Sequence, residues 1–289
     1  MKTGMTNAFS THDLGESYPD LHAMLIEHGK EHDSRLGKMR EITDMNVILH
    51  DPTKCLPQRK GYSKAFALAE IDQFVAGVHD GGILQAVSPQ AASMITKDTN
   101  YGVRVGKQMV AIESELRANR MSRRAVAYVG HPDDLVTLQN NPQQRNDRAG
   151  EIACSCVWNF MIREDKLHML VYTRSWDVVW GLCYDISSAS AVQMMLATAL
   201  GVEIGYQSHH ATSLHVYEMH YELETERVSR TLQLPWLVDT IVGSQSAALE
   251  RMKMARGNSF IGTPLQITGD VTNNHVKQWY RDDAEAAMI

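Results

Sequence analysis

CSCVWNFMIREDKLHMLVYTRSWDVVWGLCYDIS, residues 154–187, is the stretch on which the fold turns. Two β-rich runs, residues 152–163 and 166–174, flank Glu164 and Asp165, and this pattern predicts an antiparallel hairpin closed by a tight turn. The second run returns Arg174, Ser175, Trp176 and Asp177 to the neighbourhood of Cys154, near the start of the first. A cysteine in an apolar strand is more often a packing residue. A guanidinium one strand away changes that balance, because it favours the thiolate and also grips an anionic ligand. Thiolate and anion site together point to covalent chemistry on a phosphate-bearing substrate.

Upstream of the hairpin, residues 34–40 (SRLGKMR) gather Arg35, Lys38 and Arg40 around Gly37 and read as a mobile basic loop. MNVILHD (residues 45–51) has the β-formers of a strand, and KAFALAEIDQFVAG (64–77) spaces Phe66, Leu68, Ile71, Phe74 and Val75 as a helix ending on glycine. GKQMVAIESELRANR (106–120) predicts a second helix, so Arg123 and Arg124 fall at its junction with the strand-like AVAYVG. NNPQQRNDRAG (140–150) is the clearest loop. Downstream of the hairpin, residues 188–200 carry a helical stripe, and SLHVYEMHYEL (213–223) alternates as a strand that puts His215 and Tyr217 on one face. No repeat or linker interrupts the pattern. The expectation is one α+β domain over residues 1–289, with residues 1–33 as a polar N-terminal extension and 224–289 as a C-terminal segment.

The chain has 289 residues, enough to bury a core without disulfides or a structural metal. Its 28 Lys and Arg against 34 Asp and Glu give a formal charge of -6, which disfavours an indiscriminate grip on nucleic acid polymers. A small anion needs only a local arginine cluster. No apolar run approaches the roughly 20 residues that span a bilayer, and the polar N-terminus does not resemble a signal peptide; the reading is cytoplasmic. The four cysteines show no metal-binding pattern and are expected as reduced thiols.

The quoted stretch, with SLHVYEMH after it, resembles the thymidylate synthase and deoxycytidylate hydroxymethylase family, whose signature joins a nucleophilic Cys, a strand hairpin, Arg-Ser-x-Asp, a glycine and an Asn or Asp. AEIDQFVAG, NYG and SRRAVAYVGHPDDL match further family segments, in the same order, between residues 34 and 223. The resemblance implies a mixed β-sheet with surrounding helices and a homodimer packed through its sheets. It implies that Cys154 attacks C6 of a pyrimidine and that Glu70 is the general acid/base, acting through an ordered water beside the folate. It assigns the nucleotide phosphate to Arg174, Ser175 and the loop residue Arg35, with Arg123 and Arg124 supplied by the partner subunit. His215 and Tyr217 would bond the sugar 3′-hydroxyl. Asp177 and Tyr101 would line the folate cavity, the co-substrate being 5,10-methylenetetrahydrofolate, with no metal. Cys156 is expected on the opposite side of the strand from Cys154, in a packing role, and Cys183 is expected to be structural.

Asp185 departs from the methylating pattern, which has asparagine there. An amide offers uracil a donor to O4 and an acceptor to N3–H; a carboxyl instead accepts from the 4-amino group of cytosine and shares a proton with N3. Ser155 stands where methylating members commonly carry His, and SPQAASMITKDTNYG lacks the tryptophans that wall the folate in thymidylate synthases. A wetter, less aromatic pocket favours addition of water over hydride. The expectation is a cytidylate 5-hydroxymethyltransferase acting on dCMP or CMP. The alternatives are a reductive C5-methyltransferase and an inactive nucleotide-binding member.

Overall fold

The computed structural model describes residues 7–92, 95, 99–140, 152–256 and 273–288. Its first half contains β1 (Asn7–Thr11), α1 (Leu14–His28), β2 (Lys30–Ser34), β3 (Gly37–Leu49), β4 (Gln58–Arg59), α2 (Lys64–Ala76), α3 (Gly81–Val87), α4 (Pro89–Ala92), α5 (Tyr101–Ala118), β5 (Val126–Tyr128) and α6 (Asp133–Asn140). The second half adds β6 (Ser155–Arg163), β7 (Lys166–Thr173), β8 (Trp176–Asp177), α7 (Leu182–Leu200), β9 (Glu203–Tyr217), β10 (Thr225–Glu226), α8 (Ile241–Ala255) and α9 (Asn273–Ala287). The main sheet runs β1-β3-β9-β7-β6-β5, with β2 on β3 and β8 on β9, and a small ribbon pairs β10 with β4. Parallel pairs (β1 with β3, β7 with β9) and antiparallel pairs (β3 with β9, β6 with β7) alternate, so the fold is α+β with a mixed sheet.

The hairpin expected at Glu164 and Asp165 is present: both residues adopt left-handed backbone, φ 51° and 60°, and Arg163 pairs with Lys166. Helix α2 starts at Ser63, whose side chain accepts from the Phe66 N–H, and stops at Gly77, φ 68°. Every residue of α2 from Ala65 to Ala76 is buried, including Glu70, Asp72 and Gln73. Helix α5 crosses its end closely. A Cβ on Gly106 would stand 2.7 Å from the Gly77 Cα, and one on Gly102 would stand 2.5 Å from the Phe74 Cα. Only glycine permits that approach.

Several boundaries differ from the sequence reading. Residues 34–40 are not a loop: Ser34 pairs with Gly37 in a β2–β3 hairpin, with Arg35 and Leu36 as its turn. Both strands are largely exposed there, so no hydrophobic alternation marks them. Helix α7 begins at Leu182 rather than 188, because burial on nearly every side removes the stripe that periodicity relies on. Strand β9 ends at Tyr217, where a 3-10 turn, Glu218–His220, takes over. The loop expected at 140–150 lies outside the described residues after Asn140.

Candidate active site

Between α2, the start of α7 and the C-terminal end of β9 lies a cavity of about 510 Å³, within the usual range for small-molecule sites. Cys154, Arg174, Ser175, Asp177 and Asp185 reach it from the hairpin and the α7 entry, Glu70 from α2, and Tyr101 from the first position of α5. His215 and Tyr217 line it from β9, and the exposed turn residue Arg35 stands at its edge. Arg123 and Arg124 do not line this chain's cavity; both are exposed, and Arg124 pairs with Glu115 at 2.9 Å.

Cys154 precedes β6, and its backbone carbonyl accepts from the Arg174 N–H at 2.9 Å. Arg174 Nη2 lies 3.5 Å from the Cys154 Sγ, while Nε and Nη2 donate to the carbonyls of Ala153 and Ile152. The guanidinium is thus braced by backbone and turned toward the thiol. Cys156 stays out of the cavity, but strand alternation does not explain it, because residues two apart on a regular strand share a face. The β6–β7 register shifts between Ser155 and Val157, and this irregularity separates the two thiols. Cys183 is fully buried, its thiol directed at the Val178 carbonyl at 3.3 Å, as a structural residue would be.

Glu70 is 5% exposed, and its Oε2 has no hydrogen-bond partner among the described residues. Burial pushes its carboxyl well above the usual range, and the nearby Asp185 pushes it further. Asp185, in the first turn of α7, accepts from the Trp176 indole N–H at 2.9 Å. Burial raises its pKa to about 7, against the pull of that hydrogen bond. Asp177 accepts from the Val179 N–H at 2.8 Å and is raised by burial to about 6. His215 is buried, which lowers its pKa, and its ring stands edge-on to Tyr217 with centroids 5.1 Å apart. Tyr101 packs edge-on against Phe74 and Trp158, and burial raises its phenol well above the ordinary value. The cavity therefore juxtaposes a thiol, an arginine and three carboxyl groups, Glu70, Asp177 and Asp185, each shifted by burial toward its neutral form.

The expectation of a poorly aromatic pocket is not met. Phe66, Phe74, Trp176, Trp180 and Tyr184 all line it, and the two tryptophans come from the RSWDVVWG run rather than from the segment before Tyr101. Ser155 turns away from the cavity and accepts from the Trp158 indole at 2.7 Å. Sequence reasoning also passed over Arg59. Buried at the end of β4, it donates from Nε and Nη2 to the Val179 carbonyl at 3.1 and 2.9 Å and stacks over Trp180 at 5.1 Å, fixing the turn that carries Asp177. Nothing in the polar run QRKG signals burial.

Among the described residues, no group of three or more His, Cys, Asp or Glu side chains is placed to hold a metal, and no helix is long and apolar enough to cross a membrane. In comparison with known proteins, the sequence profile of the family described as thymidylate synthase matches residues 16–254. Thymidylate synthases from Listeria monocytogenes serotype 4a (strain HCC23) and serotype 4b (strain F2365) are each 27% identical over 132 residues, covering 45% of this chain. That alignment spans 38% of the length of each relative. The family match takes in the helix of Glu70, the hairpin behind Cys154, the entry to α7 and the strand of His215, and the chain belongs to the thymidylate synthase family.

Proposed function

We propose that this protein transfers a one-carbon unit from 5,10-methylenetetrahydrofolate to C5 of a cytidine monophosphate, dCMP or CMP, and releases the 5-hydroxymethyl product. The observation that carries this reading is Asp185, a carboxyl group in the same cavity as Cys154 and Glu70. Cys154 adds to C6, which makes C5 nucleophilic, and leaves again when the ring is restored. Arg174 holds the phosphate and sits beside the thiol; Ser175 and Arg35 complete this chain's share of the anion site. Arg123 and Arg124, exposed here, serve the cavity of a second copy in a homodimer. Glu70, biased by burial toward its protonated form, relays protons between a bound water and the base. His215 and Tyr217 receive the sugar. The folate supplies carbon at the formaldehyde level of oxidation; the aromatic walls, with Asp177 and Tyr101, suit a flat heterocycle.

Asp185 reads the base: one carboxyl oxygen accepts from the 4-amino group and the other shares a proton with N3. Asp185→Asn should lose cytidylate turnover and gain uridylate turnover, since a mismatched buried donor costs about 1–3 kcal/mol. The test is kcat/KM for CMP, dCMP, UMP and dUMP with both proteins, the products identified by mass spectrometry. A wild type that prefers a uridylate, or a variant with unchanged preference, overturns the cytidylate assignment. The aromatic lining supports a second reading, reductive methylation, because a shielded pocket favours hydride over water. Dihydrofolate among the products would decide for it.

A further inference from the structure

We infer that Trp176 is a positioning residue for base selection: its indole N–H pins one oxygen of Asp185 as an acceptor and so makes the carboxyl an ordered donor–acceptor pair that rejects uracil. This rests on the reading of Asp185 as the base reader. The signature Arg-Ser-x-Asp leaves position 176 open, and no role follows for it from the resemblance.

Trp176 is 1% exposed and held on both sides. Its backbone pairs with Leu214 of β9, and its ring stacks on His209 with centroids 5.0 Å apart and planes 13° from parallel. His209 is locked in turn. Gln207 donates from Nε2 to the Ser190 hydroxyl at 3.1 Å, so its Oε1, 2.9 Å from His209 Nε2, accepts from that nitrogen. Burial keeps the imidazole neutral, with its pKa lowered to about 3. The indole therefore rests on a fixed uncharged plane, and its only polar atom, a donor with no acceptor capacity, reaches Asp185 Oδ2 at 2.9 Å.

A neutral carboxyl whose proton moves freely between its oxygens satisfies either base. With the proton on one oxygen it donates to N3 of cytosine and accepts from the 4-amino group; with the proton on the other it donates to O4 of uracil and accepts from N3–H. An unprotonated Oδ2 is the better acceptor for the Trp176 indole, so the proton of a neutral Asp185 favours Oδ1. With Oδ2 set opposite ring position 4 and Oδ1 opposite N3, this favours the cytosine order over the uracil one. Discrimination then comes from a disfavoured tautomer as well as from the presence of a carboxyl. The titratable and charged groups that share the cavity walls with Asp185 are Glu70 from α2, Tyr101 from α5, Cys154 ahead of β6, Arg174 and Asp177 from the end of the hairpin and β8, Tyr184 from α7, His215 and Tyr217 at the end of β9, His220 just after it, and Arg35 from the β2–β3 turn, with His209 of β9 behind Trp176.

The test is Trp176→Phe, which keeps a ring against His209 and deletes the N–H. The cytidylate-to-uridylate ratio of kcat/KM should fall roughly tenfold, the weight of one hydrogen bond of about 1.4 kcal/mol, chiefly through a gain on uridylate. The limb of the pH profile that Asp185→Asn abolishes should move to higher pH, because the indole bond favours the ionised carboxyl. In the wild type a tryptophan indole ¹⁵N–H signal should titrate with pH and lose that titration in Asp185→Asn. If Asp185→Asn leaves base preference unchanged, the base-reading assignment itself fails. If Asp185→Asn inverts preference while Trp176→Phe retains the wild-type ratio and pH limb, the role of Trp176 is overturned and that of Asp185 stands. Should Trp176→Phe not fold, the indole titration decides: a titrating signal upholds the inference and its absence overturns it.

Discussion

At Cys154 the chain sets a thiol 3.5 Å from an arginine whose Nε and Nη2 donate to backbone carbonyls, while Cys156, two positions on, is diverted by a register shift. Cys154→Ala should abolish turnover and Cys156→Ala should retain most of it, measured as kcat on the preferred nucleotide; equal losses would refute the separation of roles. Glu70 gives a prediction in pH. Its folded pKa is raised, by burial first and by Asp185 second, above an unfolded value near about 4.3. An acid shifted that way contributes stability below its unfolded pKa and loses it as pH rises through the folded one. Through this group the ligand-free protein should lose thermal stability as pH rises from about 4.3 toward the raised folded value. Glu70→Gln should flatten that decline and melt above wild type at pH 8, while losing activity. Ten of the twelve residues picked out by the resemblance meet at one cavity, because motif residues keep their order and their chemistry. Trp176 and Arg59 escaped notice for opposite reasons. A tryptophan in an apolar strand reads as core, and an arginine in a polar run reads as surface; only the fold shows that each donates to a group that shapes the site.

Among the elements, the β6–β7 hairpin was legible because its strands alternate and its turn is short. Helix α2 was legible because Phe66, Leu68, Ile71, Phe74 and Val75 recur at helical spacing and a glycine ends it. The onset of α7 and the β2–β3 hairpin were not, since one is buried almost all round and the other is barely buried. Hydrophobic period is weakest at those extremes, and in the fully buried α2 the terminal glycine supplied the boundary that spacing alone would not. The crossing of α5 over the end of α2 is a relation between elements that no local pattern announces. Gly106→Ala tests it: the added methyl would meet the Gly77 Cα at 2.7 Å. Overpacking of about 1–3 kcal/mol then outweighs the gain of at most ~1 kcal/mol in helix propensity. Urea denaturation should show a lower midpoint, and KM should rise, because Phe74 and Tyr101 on the two crossing elements both line the cavity.

Across the whole molecule, α2 is held from two sides. Glu70 faces the cavity, while Asp72 lies in a buried network in which Arg251 of α8 sits between the rings of Trp236 and Trp279, at 4.9 and 5.4 Å. Arg251 Nε donates to Asp72 at 3.1 Å and Nη2 to Asp283, and the Tyr280 hydroxyl donates to Asp72 at 3.2 Å. Arg251→Ala strands a fully buried carboxylate and should cost about 3–5 kcal/mol in urea unfolding. Near-normal stability would mean that the network is dispensable. The placement of α2 also bears on how the protein is made. Its neighbours α3, α5, α7, α8 and α9 are all encoded downstream of it, so as the chain emerges from the ribosome the faces of the Glu70 helix that meet α8 and α9 stay uncovered until the C-terminal helices are made. Until then that apolar surface is open to aggregation, and slowing synthesis of the C-terminal third should lower the yield of folded protein.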